Sequence, residues 1–198
     1  MTQPTREETE AAIATLLRWV GEDPTREGLR DTPSRAVRAW SEWTSGYSLD
    51  PVALLERSFG DVDEQDDMIV VSGIRVESTC EHHLAPIIGT AAVGYVPSRR
   101  VGPDGVDVVR VVGLSKIPRA VEALAKRLQV QERLTGQIAT ALETALEPLG
   151  VAVVIRAVHH CMCTRGVHQI GAEMTTSAMR GLFRHDPAAR AEFFQLVT

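Results

Sequence analysis

Cysteine is scarce in this chain: three occur among 198 residues, an odd number too small for a disulfide framework. Metal binding or catalysis is therefore the expected use of these thiols. Long apolar runs are missing too. No stretch of about 18 apolar residues is present, so no membrane-spanning helix is expected and a membrane partner is set aside. The N-terminus, MTQPTREETE, is polar and acidic where a secretory leader would be basic and then apolar, so a cytoplasmic location is expected. A basic excess is lacking as well. With 26 acidic against 21 basic side chains and a net charge of -5, the chain does not read as a nucleic-acid binder. A few local Arg and Lys residues can still hold a small anion against that distant field. The His-x-Glu and Pro-Cys-x-x-Cys pair of zinc base deaminases is also missing. What remains is a chain long enough to bury a real core, 44% hydrophobic and 24% charged.

The N-terminal third reads as helical. Thr5-Arg6-Glu7-Glu8 has the form of a capping box, and Ile13, Leu16, Leu17 and Val20 follow at helical spacing. Thr32-Pro33 opens a second helix that stops by Gly46, and Asp50-Pro51 opens a short third one. The acidic, turn-rich stretch Gly60 to Asp67 reads as a linker, giving an N-terminal helical extension and linker over 1–66 and a main domain over 67–198. From Met68 the period changes to that of strands, expected over Met68–Glu77, Ile87–Val96 and Val106–Val112, with a hairpin tip at Ser98–Asp107. Helices are expected over Lys116–Leu128 and Gln131–Leu146, then strands over Val151–Cys161 and Val167–Thr176, then a last helix from Asp186-Pro187. This order predicts an α+β fold built on an antiparallel sheet.

Chemistry concentrates in four places. Cys80-Glu81-His82-His83 sets a thiol and an imidazole three residues apart, and His159-His160-Cys161 closes the apolar strand. Strand alternation predicts that His159 and Cys161 share a face while His160 points away. Cys80, His83 and Cys161 would form a sulfur and nitrogen set suited to zinc, with a fourth position left for water. Cys163 could share the face of Cys161 if the strand continued, which would close the ion off. Ser115-Lys116-Ile117-Pro118-Arg119 opens a helix with two cations on one face, suited to phosphate, and Arg165 could reach an anion beside the metal. In Gln131-Glu132 a carboxylate can accept from the two adjacent donors that guanine offers and adenine does not; it would equally complement the helix dipole.

In order and spacing, these segments resemble the GTP cyclohydrolase I family. The resemblance rests on Thr32-Pro33-Ser34-Arg35, Ser78 to His83, Gly113 to Ile117, Arg127 to Thr135, and His159-x-Cys161 with Arg165-Gly166. It implies a T-fold (tunnelling fold) subunit, two antiparallel hairpins with two packed helices, assembled as a homodecamer with active sites between subunits. It further implies zinc on Cys80, His83 and Cys161, acid/base histidines at His82 and His159, and Ser115, Lys116, Arg119, Arg165 and Arg35 at the ribose and triphosphate. Ser115 is grouped with the catalytic residues, and Gln131 and Glu132 are implied as guanine readers. The reaction so implied is hydrolytic opening of the GTP imidazole ring, loss of formate, an Amadori rearrangement and closure to 7,8-dihydroneopterin triphosphate. His160 stands where that family commonly carries tyrosine or methionine, and Gly171 to Arg180 departs from its Thr-rich pattern. A T-fold paralogue of another purine pathway, or a non-catalytic zinc-stabilised module, are the competing expectations.

Overall fold

The structure is a computed structural model, and it describes residues 2–56, 58–59, 67–101, 107–109 and 111–197. Two compact units divide at Ser45 and Gly46. The first holds α1 (Arg6–Trp19) and α2 (Thr32–Trp43). Thr5 caps α1 through the expected box, with its hydroxyl accepting from Glu8 N–H while the Glu8 carboxylate accepts from Thr5 N–H. The expected boundary at residues 66 and 67 falls beside residues outside those described.

A short 3-10 turn, Ser45–Ser48, starts at the last residue of the first unit, and α3 (Pro51–Leu55) follows in the second, its first amides capped by Asp50. Then follow β1 (Ser58–Phe59), β2 (Ile69–Cys80), β3 (Pro86–Val96), β4 (Arg99–Val101), β5 (Asp107–Val109) and β6 (Val111–Val112). The helix α4 (Lys116–Ala125), the two-residue β7 (Leu128–Gln129) and α5 (Gln131–Leu146) come next. The chain ends with β8 (Gly150–His159), the one-turn α6 (His160–Cys163), β9 (Glu173–Gly181), α7 (Leu182–His185) and α8 (Pro187–Val197).

One sheet of order β7-β2-β3-β8-β9 organises this unit, antiparallel except for the β2–β7 pair. Two small pairs, β1–β6 and β4–β5, lie outside it. The β4–β5 pair is the expected hairpin; its tip lies among residues not described. Side-chain alternation divides the core into two layers. Val93, Tyr95, Val151, Val153 and Ile155 face α4 and α5, burying against Val121, Leu124, Leu134, Ile138 and Leu142. Ala92, Val96, Ala152 and Val154 face the other way, onto Phe183 and Phe193. With both faces covered, this part of β8 needs no polar side, hence its apolar run from Val151 to Ile155. Gly94 lets α8 come close: a Cβ there would stand 2.8 Å from the Phe193 ring. Antiparallel hairpins backed by two helices are the arrangement expected of the α+β class.

Four expectations need correction. The helix expected over Lys116–Leu128 ends at Ala125, and Leu128 lies in β7. The strand expected over Val106–Val112 is described as β5 and β6, which pair with different strands. The strand expected to run through Cys161 ends at His159, and Cys161 sits in the one-turn helix α6. The strand expected over Val167–Thr176 begins only at Glu173. Gly166, His168 and Gly171 have φ of 65°, 50° and 86°, left-handed values that break extended pairing, and Val167 and Ile170 are exposed. Among the described residues no helix is long and apolar enough to cross a membrane.

Candidate metal centre and substrate cavities

Sheet register gathers the site at one end of the sheet. Thr79 of β2 pairs with Pro86 of β3, Ile87 pairs with His159 of β8, and Cys80 pairs with Gln129 of β7. The last residues of β2 and β8 therefore lie within two strands of each other. The β2–β3 connection is tight: Cys80 N–H donates to Ala85 O at 2.8 Å, Leu84 N–H to Cys80 O at 2.8 Å, and Leu84 takes a φ of 56°. That turn folds His83 back so that its Nδ1 lies 4.0 Å from Cys80 Sγ. Cys161 completes the group, and one ligand atom from each of Cys80, His83 and Cys161 lies within 4.8 Å of the others. These spacings suit a single ion, and the donor set is two sulfurs and a nitrogen. Cys80 is buried and Cys161 half-buried, whereas His83 is exposed, leaving the group open toward solvent on one side. Burial and the neighbouring Cys80 thiol push the Cys161 thiol above its ordinary range.

Neither His160 nor Cys163 belongs to that group. The Cys163 thiol instead donates to His159 O at 3.3 Å, the ordinary back-bond of a helical turn. The expected separation of His160 from the ligands holds, but strand alternation is not its cause, because the chain turns helical after His159.

His159 is half-buried, its Nε2 2.7 Å from Gln131 Oε1. Burial lowers its pKa below the ordinary imidazole value, partly opposed by the Glu132 carboxylate. His82 is exposed, 3.9 Å from Glu81 Oε1. Glu81 is paired with Arg133, which holds its carboxyl below the usual range, and Arg133 also donates to Gln129 Oε1 at 3.1 Å and Leu128 O at 3.1 Å. This buttress behind the Cys-Glu-His-His turn was not among the expected site residues. Glutamate inside that motif, with arginine at the start of α5, was its only sequence signal.

The structure separates Gln131 from Glu132. Gln131 is 1% exposed, and its amide group is engaged entirely within the protein. Glu132 is exposed and lines a cavity of about 380 Å³ with Gly136, Ser177, Met179, Arg180 and Arg184, beside the open edge of β9. Arg119 lines a different cavity, of about 270 Å³, with Arg75, Glu77, Glu122 and Lys126 beside β2. Ser115 and Arg119 are exposed and Lys116 half-buried at the start of α4, and Arg165 is exposed after α6. Arg35 lies in the first unit, donating to Gly28 O at 3.1 Å and Thr32 Oγ1 at 3.0 Å. Arg75 and Arg180 on strands and Arg184 in α7 are cavity cations without a sequence signal, since isolated arginines carry no pattern.

An open Cys-His-Cys group at the end of an antiparallel sheet could hold a metal ion, the kind of donor set that hydrolases use. The sequence profile described as GTP cyclohydrolase I matches residues 9–198, and the chain belongs to that family. It is 51% identical to the GTP cyclohydrolase 1 of Maricaulis maris (strain MCS10), covering 99% of this chain and 91% of that one. It is 46% identical to the GTP cyclohydrolase 1 of Hyphomonas neptunium, covering 98% and 89%, and 47% identical to that of Pelagibacter ubique, covering 96% and 90%. Among solved structures, the apo form of the archaeosine synthase QueF-Like is similar at a TM-score of 0.41 and 18% identity, covering 58% of this chain and 93% of that one.

Proposed function

We propose that this chain is a zinc-dependent GTP cyclohydrolase I that converts GTP to 7,8-dihydroneopterin triphosphate and formate. The observation that carries this is the compact Cys80–His83–Cys161 group with the half-buried His159 two residues before Cys161, in a chain matching the family over nearly its whole length. Two thiolates and an imidazole suit zinc, and when bound the ion would polarise water for attack on the imidazole carbon of the purine. Engagement of Cys163 with His159 O supports a three-residue set with a free position over a closed structural site.

The remaining roles fall to the chain's own residues. His159 protonates the ring nitrogen beside the attacked carbon, and the C–N bond breaks toward that protonated nitrogen. His159, half-buried beside Gln131, is placed to give and take that proton. Exposed His82, beside Glu81, assists proton transfer as formate departs and the ribose rearranges. Glu132 accepts from the guanine edge in its cavity. Ser115, Lys116, Arg119 and Arg165 hold the ribose and triphosphate, and Arg35, in the helical extension, serves the pocket of a neighbouring subunit.

The two cavities stand at opposite edges of one sheet. Three inter-strand spacings, roughly 14 Å, separate β2 from β9. A single nucleotide reaches both sets of residues most simply where the β2 edge of one copy meets the β9 edge of another. Along Ile69–Ser78 of β2 and along β9, those edges have no strand partner among the described residues. This supports a homo-oligomer with shared sites; the decamer and the cytoplasmic location are proposed from the family alone. Incubating the metal-loaded protein with GTP should give formate and a fluorescent pterin, and Cys161→Ala should give neither. A folded, zinc-loaded sample that releases no formate would sink the proposal.

A further inference from the structure

Gln131 stands at a junction of three elements. From the first residue of α5 its Nε2 lies 3.1 Å from Ile155 O of β8, 2.9 Å from Met174 O of β9 and 3.1 Å from Thr176 Oγ1. Carbonyl oxygens can only accept, so the amide cannot be turned round without setting oxygen against two carbonyls in a buried site. The hydroxyls agree on the same direction. Thr135 Oγ1 lies 2.7 Å from Gln131 O and must donate to it. Thr135 and Thr176 are 2.7 Å apart, and because the Thr135 hydrogen is spent, Thr176 must donate across that contact. Thr176 therefore turns a lone pair, not a hydrogen, toward the Gln131 amide. Every hydrogen in the circuit Gln131–Thr176–Thr135–Gln131 is placed, and the Gln131 Oε1 can act only as an acceptor.

That oxygen lies 2.7 Å from His159 Nε2. We propose that Gln131 is the positioning residue of His159, holding it as the Nε2–H tautomer, so that Nδ1 is the nitrogen that exchanges a proton with the substrate. Among the described residues no hydrogen bond occupies Nδ1. The assignment of Nδ1 to the substrate rests on the function proposed above; the tautomer does not. Gln131 then acts through His159 and never touches the base, which leaves guanine reading to Glu132. The threonines extend the device: Thr176, on an edge strand, and Thr135, one turn into α5, fix the ring by fixing the amide.

Neutron diffraction from crystals of the full, metal-loaded chain at about pH 8, above the ordinary imidazole range, reads the tautomer directly. A deuteron on His159 Nε2 is expected; a deuteron on Nδ1 alone would overturn the proposal. Kinetics with GTP supply the second arm. Gln131→Met removes the acceptor at similar volume and should lower kcat by about tenfold to a hundredfold, the usual cost of losing a partner that orients a functional histidine, with KM within about threefold. A raised KM with unchanged kcat would make Gln131 a base reader and refute the assignment. Thr176→Val should lower kcat in the same manner while Thr176→Ser restores it; equal activity in Val, Ser and parental proteins would remove the threonines from the circuit. The diffraction arm needs no substrate. A parental protein inactive on GTP but carrying Nε2–H would thus sink the proposed function and leave the positioning role standing.

Discussion

Replacing each of two nearby cysteines should have opposite consequences for the metal. Around a tetrahedral zinc with metal–sulfur distances of about 2.3 Å, ligand atoms stand about 3.8 Å apart. Cys80 Sγ and His83 Nδ1 are 4.0 Å apart, and all three ligand atoms lie within 4.8 Å of one another, so each must shift by less than an ångström. Cys161→Ala removes a third of this set. Structural zinc binding of about 10–16 kcal/mol over four ligands gives about 3 kcal/mol per ligand, or roughly a hundredfold in affinity. Cys163→Ala removes only a weak thiol bond to His159 O at 3.3 Å, costing at most about 1 kcal/mol of stability and leaving metal affinity within about threefold. Competition against a chromophoric chelator measures both constants, and elemental analysis after gel filtration gives the stoichiometry. One zinc per chain is expected in Cys163→Ala, with zinc lost from Cys161→Ala. Equal loss of zinc from both variants would refute the three-ligand set.

Metal loading should also depend on pH. The Cys161 thiol is pushed up by burial and by Cys80, so at neutral pH it is protonated in the metal-free protein and binding must expel that proton. Apparent zinc affinity should fall about tenfold per pH unit for each proton displaced as the solution is acidified; a flat profile from about pH 8 to 6 would contradict this. In the second core layer, Phe193 is fully buried, edge-on to Phe183 at 5.8 Å and Phe194 at 5.6 Å. Phe193→Ala should cost about 3–5 kcal/mol, read by thermal unfolding of the metal-loaded protein, and a cost under 1 kcal/mol would mean that α8 does not pack there.

Elements with local start signals were legible in the sequence. The Thr5 box and the Asp50 cap rest on contacts within a few residues, and α5 runs over the span its apolar spacing predicts. The end of β8 was not, because His159-His160-Cys161 reads equally as strand, and only the structure shows the chain coiling after His159. The start of β9 was placed six residues early, since Val167 and Ile170 look like strand residues yet lie exposed between left-handed turns. The metal set was legible by residue type and spacing. Gln131 was visible as a polar residue beside Glu132, but the direction of a buried amide is decided by carbonyls 24 and 43 residues away. No local pattern records that.

The proposed metal ligands hang on the ends of strands. Cys80 is the last residue of β2, His83 rides the turn after it, and Cys161 sits one residue into a single helical turn beyond β8. Between those ends lies a strand covered on both faces, the part of the domain slowest to open, while end turns fray at little cost. An ion can therefore enter or leave by the loosening of two short turns while the sheet stays closed. On that view the metal is fitted to a finished scaffold, not a seed around which the scaffold forms, and exchange of one metal for another need not pass through an unfolded chain.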